Sequence, residues 1–276
     1  MTDNHGPVWV IAEQEEGQVH TVSSQLTGQA RKLADELNTR VEAILLGNGT
    51  AEMPRQLFAA GADKVYLGNA PELDRYQSEL FTEIIVRLAE THQPEIVLLG
   101  STPLGRELAP LVAARLKTGL TAHCIDLVLD ENRILQQKIP AYGGMLTIIC
   151  PEKRPQMATV AKGVFPMPEL KESREGEIVP VALPAEIPDR LQTLEIVREE
   201  PKGVPLESAS IVVAGGAGAG GPDGWSEISD LASTLGAALG ATRPAVDEGW
   251  TELETMVGQS GKMVGPECYI GIGLSG

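Results

Sequence analysis

Apolar positions along the first hundred residues come in two alternating rhythms. Residues 8–12 (VWVIA) form an unbroken apolar run, and residues 41–46, 64–67 and 96–99 are mostly apolar; each predicts a buried strand. Between them the spacing changes to threes and fours. Leu26, Ala30, Leu33, Ala34 and Leu37 share one helical face, a short helix is expected over 53–60, and Leu80, Ile84, Ile85 and Leu88 line a helix over 76–89 that Pro94 terminates. Strand and helix alternating four times predicts βαβ units and a mostly parallel sheet covered on both faces.

After the fourth strand, Gly100-Ser101-Thr102-Pro103-Leu104-Gly105-Arg106 leads into a helix carrying Leu108, Leu111, Val112 and Leu116. Two readings are open for this turn: a capped helix start, with Ser101 or Thr102 as N-cap, or an anion site at the carboxyl end of a strand. From 119 to 160 the runs shorten, at 124–129, 134–139, 145–150 and 157–160, with Asp130-Glu131-Asn132 as a turn. This pattern predicts hairpins in place of further crossovers. His123 and Cys124 are expected on opposite faces of a strand, which argues against a nucleophile or metal pair.

Residues 165–208 shift toward Pro, Glu, Lys and Arg, with short β-like pieces at 178–182 and 194–197. Pro201, Gly203 and Pro205 mark a linker, so a first domain over 1–200 and a second over 206–276 are expected. In the second, residues 211–214 form a strand running into a glycine loop, with a helix expected over 225–239. Gly216, Gly218 and Gly221 satisfy G-x-G-x-x-G in the strand-to-helix context of a dinucleotide site, although the acid expected about twenty residues on is not evident. Arg243, read as a buried arginine, and the turn Gly258-Gln259-Ser260-Gly261-Lys262 make a donor-rich concavity without an obvious base, suited to an anionic cofactor.

Charge narrows the function further. A formal net charge of −16 and a pI near 4.7, with no basic stripe, argue against a nucleic-acid partner. The 3 cysteines lack C-x-x-C spacing, and neither a metal site nor a catalytic His/Asp/Ser grouping is expected. No apolar segment approaches a bilayer's span and the start lacks a signal peptide's pattern, so a cytoplasmic protein is expected.

The residues also carry a family resemblance. Ile211–Gly216 (IVVAGG), then Gly240-Ala241-Thr242-Arg243-Pro244-Ala245-Val246-Asp247, the run 257–262 (VGQSGK) and 269–276 together resemble the FAD domain of the electron transfer flavoprotein alpha subunit. The runs 104–110, 113–116, 118–122 and 154–160 resemble the anaerobe-type members, some of which bifurcate electrons. The resemblance implies a nucleotide-hydrolase-like α/β first domain that packs against a beta subunit as a heterodimer, and a Rossmann-like second domain that holds FAD. It implies an electron carrier without its own substrate turnover, serving an acyl-CoA dehydrogenase-type or other redox partner. By the same resemblance Arg243 lies against the flavin ring and Thr242 near the cofactor. Val257, Gly258 and Gln259 line the site, the Ser260 hydroxyl bonds flavin N5, and Ser275 and Gly276 begin a pyrophosphate-binding turn. The chain departs from the family pattern at Ala217, where an arginine contacts the cofactor, and at Ala161-Lys162. Relatives continue beyond the position of Gly276, so an incomplete FAD domain is expected: a fragment, a site completed elsewhere, or a degenerate domain. The alternative function is a flavin-free scaffold subunit.

Overall fold

The computed structural model describes residues 5–276 except 16, 142, 187–192, 196, 198–202, 259–260 and 275–276. The chain divides into two compact units, Met1–Leu194 and Glu195–Gly276. Among the described residues both have an α/β architecture, with a parallel sheet of seven strands in the first and of three in the second.

In the first unit β1 (Val8–Ala12) is followed by a small hairpin of β2 (Gln14–Glu15) and β3 (Gln18–Val19), then α1 (Thr21–Leu37), β4 (Val41–Gly47), α2 (Pro54–Ala60) and β5 (Lys64–Asn69). Next come α3 (Ser78–His92), β6 (Ile96–Gly100), α4 (Pro103–Leu116), β7 (Leu120–Cys124), β8 (Asp126–Leu129), β9 (Leu135–Ala141), β10 (Gly144–Ile149), β11 (Gln156–Val160) and β12 (Glu177–Pro180). The large sheet has the order β12-β5-β4-β1-β6-β11-β7. Alternation along β1 explains its two covered faces. Val8 and Val10 join Leu26, Leu33 and Leu57 of α1 and α2, whereas Trp9 and Ile11 join Ile84, Ile85 and Leu108 of α3 and α4.

The run 124–129 is two strands, a correction to the single strand expected. His123 takes a φ of 60°, its N–H donates to Thr159 Oγ1, and the β7–β11 register shifts there. The chain therefore leaves the parallel sheet at Cys124 and starts the antiparallel sheet β10-β9-β8 at Asp126. Hairpins do occupy part of this region, but β7 and β11 extend the parallel sheet, because Met157, Ala158 and Val160 are fully apolar and buried on both faces. Leu194 is exposed and outside any strand, and the rest of the 194–197 run lies partly outside the described residues.

Asp63 ties three segments of the unit together. Its carboxylate accepts from Val41 N–H at 2.9 Å, Arg31 Nη1 at 2.6 Å and Arg174 Nη2 at 2.5 Å. Burial by itself would raise its pKa, but these donors and the two guanidinium charges outweigh burial and hold it below the usual aspartate value. A depressed carboxylate contributes stability above its unfolded pKa of about 4 and loses it as pH falls through the folded value. Asp63→Asn should accordingly cost about 1–2 kcal/mol at pH 7 and progressively less below about pH 4. Urea unfolding of both proteins at pH 7 and pH 3 checks this, and an equal difference at the two pH values would refute it.

In the second unit β13 (Ile211–Gly215) leads to α5 (Pro222–Thr234), β14 (Ala238–Ala241), α6 (Arg243–Asp247) and β15 (Cys268–Ile272), giving a parallel sheet of order β14-β13-β15. The helix expected to reach 239 ends at Thr234. Gly236, at a φ of 61°, turns the chain, and Ala238–Ala241 pairs with Val212–Gly215 as a strand instead. Three of its four residues are small, and Ala238 packs against Val212 and Leu206.

Candidate functional site: the carboxyl edge of the second sheet

All three strands of the second sheet run the same way, so the loops after β13, β14 and β15 leave from one edge. Open parallel sheets bind ligands at this edge. The first and third loops are locked together by backbone. Gly216 N–H donates to Ile272 O at 3.0 Å and Gly218 N–H to Gly273 O at 2.9 Å. A Cβ on Gly216 would lie 2.5 Å from Gly273 O, and one on Gly218 would lie 2.6 Å from Gly273 Cα. Gly273 itself sits at a φ of 64°, so three glycines make an approach that no side chain would permit.

The helix that follows begins with the same economy of space. A Cβ on Gly224 would meet Ala219 O at 2.1 Å, so the glycine lets α5 start directly against the 217–219 turn. The thirteen-residue α5 thus presents its first turn at the sheet's carboxyl edge, where peptide N–H groups favour an anion, although Asp223 already places one negative group in that turn.

The second loop carries the cation. Thr242 N–H donates to Gly215 O at 2.9 Å and Thr242 precedes the first residue of α6. Arg243 is not buried, as the sequence reading has it: its side chain is 70% exposed, because α6 turns its first residue outward while Ala245 faces the core. The guanidinium Nε donates to Asp247 Oδ2 at 3.2 Å. Val257 N–H donates to Ala241 O at 2.8 Å, which docks residues 256–258 on the end of β14. There Gly258 N–H donates to Lys262 O, Lys262 N–H to Met256 O, and Gly258 takes a φ of 125° that only glycine adopts readily. The structure thus brings Thr242, Arg243, Val257 and Gly258 to one place. Gln259, Ser260, Ser275 and Gly276 lie outside the described residues.

Gly273 is the participant that sequence reasoning did not single out. Its signal is present as an alternating glycine in Gly271-Ile272-Gly273, but its partner Gly218 is distant in sequence and only the pairing of β13 with β15 joins them.

The turn before α4 takes its capping form. Thr102 Oγ1 accepts from Gly105 N–H at 2.9 Å and donates to Glu13 Oε1 at 2.8 Å. Burial raises the Glu13 pKa. A carboxyl group of the protein's own therefore stands at that helix start. Among the described residues no group of three or more His, Cys, Asp or Glu could hold a metal ion, and no helix is long and apolar enough to cross a membrane.

The glycine approach, the helix start and a cationic loop at one edge fit a dinucleotide whose backbone needs close peptide contact and whose charge needs donors. They define a dinucleotide-binding domain following a larger α/β domain. Comparison with known proteins makes this specific. The model of the electron transfer flavoprotein domain matches residues 8–186, and that of the electron transfer flavoprotein FAD-binding domain matches residues 205–276. The electron transfer flavoprotein subunit alpha of Thermoanaerobacterium thermosaccharolyticum is 43% identical over 99% of this chain and 84% of its own. That of Megasphaera elsdenii is 40% identical over 98% and 81%, and the FixB protein of Azorhizobium caulinodans 42% identical over 98% and 75%. The chain belongs to the electron transfer flavoprotein alpha subunit family, and the cofactor of its second domain is FAD.

Proposed function

We propose that this chain is the FAD-holding alpha subunit of a heterodimer with a beta subunit, and that it passes electrons between a dehydrogenase and a downstream acceptor. One observation carries the reading: the Gly216/Gly218/Gly273 approach, the Arg243 loop and residues 256–258 meet at a single sheet edge. When bound, FAD supplies a ring that takes up electrons and gives them back. The chain's own residues supply position and charge. The glycine edge admits a pyrophosphate close to peptide N–H groups, and Arg243 offers a cation where negative charge builds up on reduction. Thr242, Val257 and Gly258 shape the wall beside it, and Gln259, Ser260, Ser275 and Gly276 complete the proposed set. No side chain of this set is a general base, in keeping with a carrier. Similarity of the 104–116 and 154–160 runs to anaerobe-type members extends the proposal to the bifurcating kind, which a test for delivery of one donor's electrons to two acceptors examines.

The experiment is an absorbance spectrum of the purified chain, alone and with its beta partner, after incubation with FAD and desalting. A retained flavin spectrum is expected. A charge-assisted hydrogen bond is worth about 1.5–3 kcal/mol, so Arg243→Ala should weaken FAD binding by about ten- to a hundredfold and lower the flavin's potential. Absence of flavin from every preparation would overturn the reading in favour of a flavin-free scaffold subunit, which the missing loop arginine at Ala217 favours.

A further inference from the structure

Arg243 and Asp247 are the first and last residues of α6, and they pair at 3.2 Å through Nε and Oδ2. For the helix this order is unfavourable. A cation at the start and an anion at the end both oppose the peptide dipoles, and an i,i+4 pair is weaker with the base first. The two side chains are 70% and 61% exposed, so the bond adds little stability in water. Its geometry suggests another use. The backbone of α6 is held at both ends, by Thr242 N–H on Gly215 O and by Trp250 N–H on Ala245 O. Asp247 takes only Nε, and Arg243 Nη1 and Nη2 bond to none of the described residues.

We infer that Asp247 is a positioning residue: it grips the Nε edge of Arg243 and leaves both Nη groups directed to the FAD site. This rests on the reading of Arg243 given above. A free arginine on a five-residue helix would sample many rotamers, and the bond through Nε biases that sampling toward the paired rotamer before the cofactor arrives. Were one side closed to water by a bound cofactor, the same bond would strengthen and would offset part of the Arg243 charge.

The test uses the full chain with its beta partner for FAD titration and the FAD-free chain for NMR of arginine Nε–H groups. Arg243→Ala identifies the Arg243 signal by its loss. Asp247→Ala is expected to move that signal in the FAD-free chain and to weaken FAD binding about fivefold, with no further loss when Arg243 is already alanine. Asp247→Asn keeps an acceptor for Nε and should restore most of the affinity, while raising the flavin's potential because a negative charge is gone. An unmoved Nε–H signal, or an equal loss of affinity with and without Arg243, overturns the inference and leaves the role of Arg243 standing. If Arg243→Ala itself changes neither affinity nor potential, the reading of Arg243 fails and the inference falls with it. Both residues are exposed, so misfolding should not mask these outcomes, and circular dichroism of each variant checks it.

Discussion

Gly218→Val should leave a protein that holds no FAD after desalting. A Cβ at this position would lie 2.6 Å from Gly273 Cα and 3.0 Å from Gly273 O, both backbone atoms that cannot rotate away. Relief requires the loops after β13 and β15 to part, which breaks the Gly218 N–H to Gly273 O bond and opens the edge where the cofactor's pyrophosphate would approach. Forcing a side chain into packed backbone costs about 1–3 kcal/mol and occasionally more, and valine adds its branched γ carbons to the clash. The expected loss of FAD affinity is at least about a hundredfold, equal to about 2.7 kcal/mol. Gly220→Ala is the informative companion. Nothing lies within 4 Å of a Cβ there, but its φ of 76° disfavours alanine, so it should cost about 1 kcal/mol of stability with a smaller effect on FAD. Retention of FAD by Gly218→Val at the affinity of the unaltered chain would show that the cofactor does not use this edge.

In the first unit the largest expected effect comes from Glu42→Ala. Glu42 is 4% exposed on the central strand β4, and its Oε2 accepts from Trp9 Nε1 at 2.9 Å and from Tyr66 Oη at 3.1 Å. Trp9 and Tyr66 are themselves fully buried, with ring centroids 5.7 Å apart, and the His92 ring lies 4.8 Å from that of Tyr66. Alanine would orphan two buried donors and leave a cavity between three strands. Each orphan costs about 1–3 kcal/mol, and the summed loss should be about 3–5 kcal/mol. Glu42→Gln keeps an acceptor oxygen and should lose about 1–2 kcal/mol, since its amide hydrogens then need partners. Denaturant midpoints at an unchanged slope give both numbers. A loss below about 1 kcal/mol for alanine would mean that the two rings find other acceptors. Burial and the neighbouring Glu42 also raise the Tyr66 pKa, in keeping with a phenol that remains a donor at neutral pH.

Trp9 and Glu42 show how far the pattern of the chain reaches. The runs at 8–12 and 41–46 announce buried strands, but they do not say that a tryptophan on one and a glutamate on the next stand side by side. That follows from the register Trp9 to Glu42. The alternation of strands and helices made the parallel sheet legible because the first four long strands are mostly apolar on both faces, a local property. The break at His123 was not legible, since its positive φ depends on bonds to Thr159 and Ser101 across the sheet. Nor was the end of α5, where 238–239 continue a helical spacing and the competing strand is favoured only by a neighbour from 212–215.

The candidate site divides in the same way. Thr242, Arg243 and the glycine turn at 258–262 stand out in the linear chain because charge, hydroxyl and glycine are properties of single residues at short spacing, and the resemblance of those runs to one family attached a cofactor to them. Local order thus supplied fold class, family and cofactor. The exposure of Arg243, its tether to Asp247, and the meeting of Gly218 with Gly273 came from folding, because each depends on which segments parallel pairing carries to the same edge. Residues about fifty apart in the chain are in contact there, and no spacing rule acting along the backbone can anticipate an approach that the pairing of β13 and β15 creates.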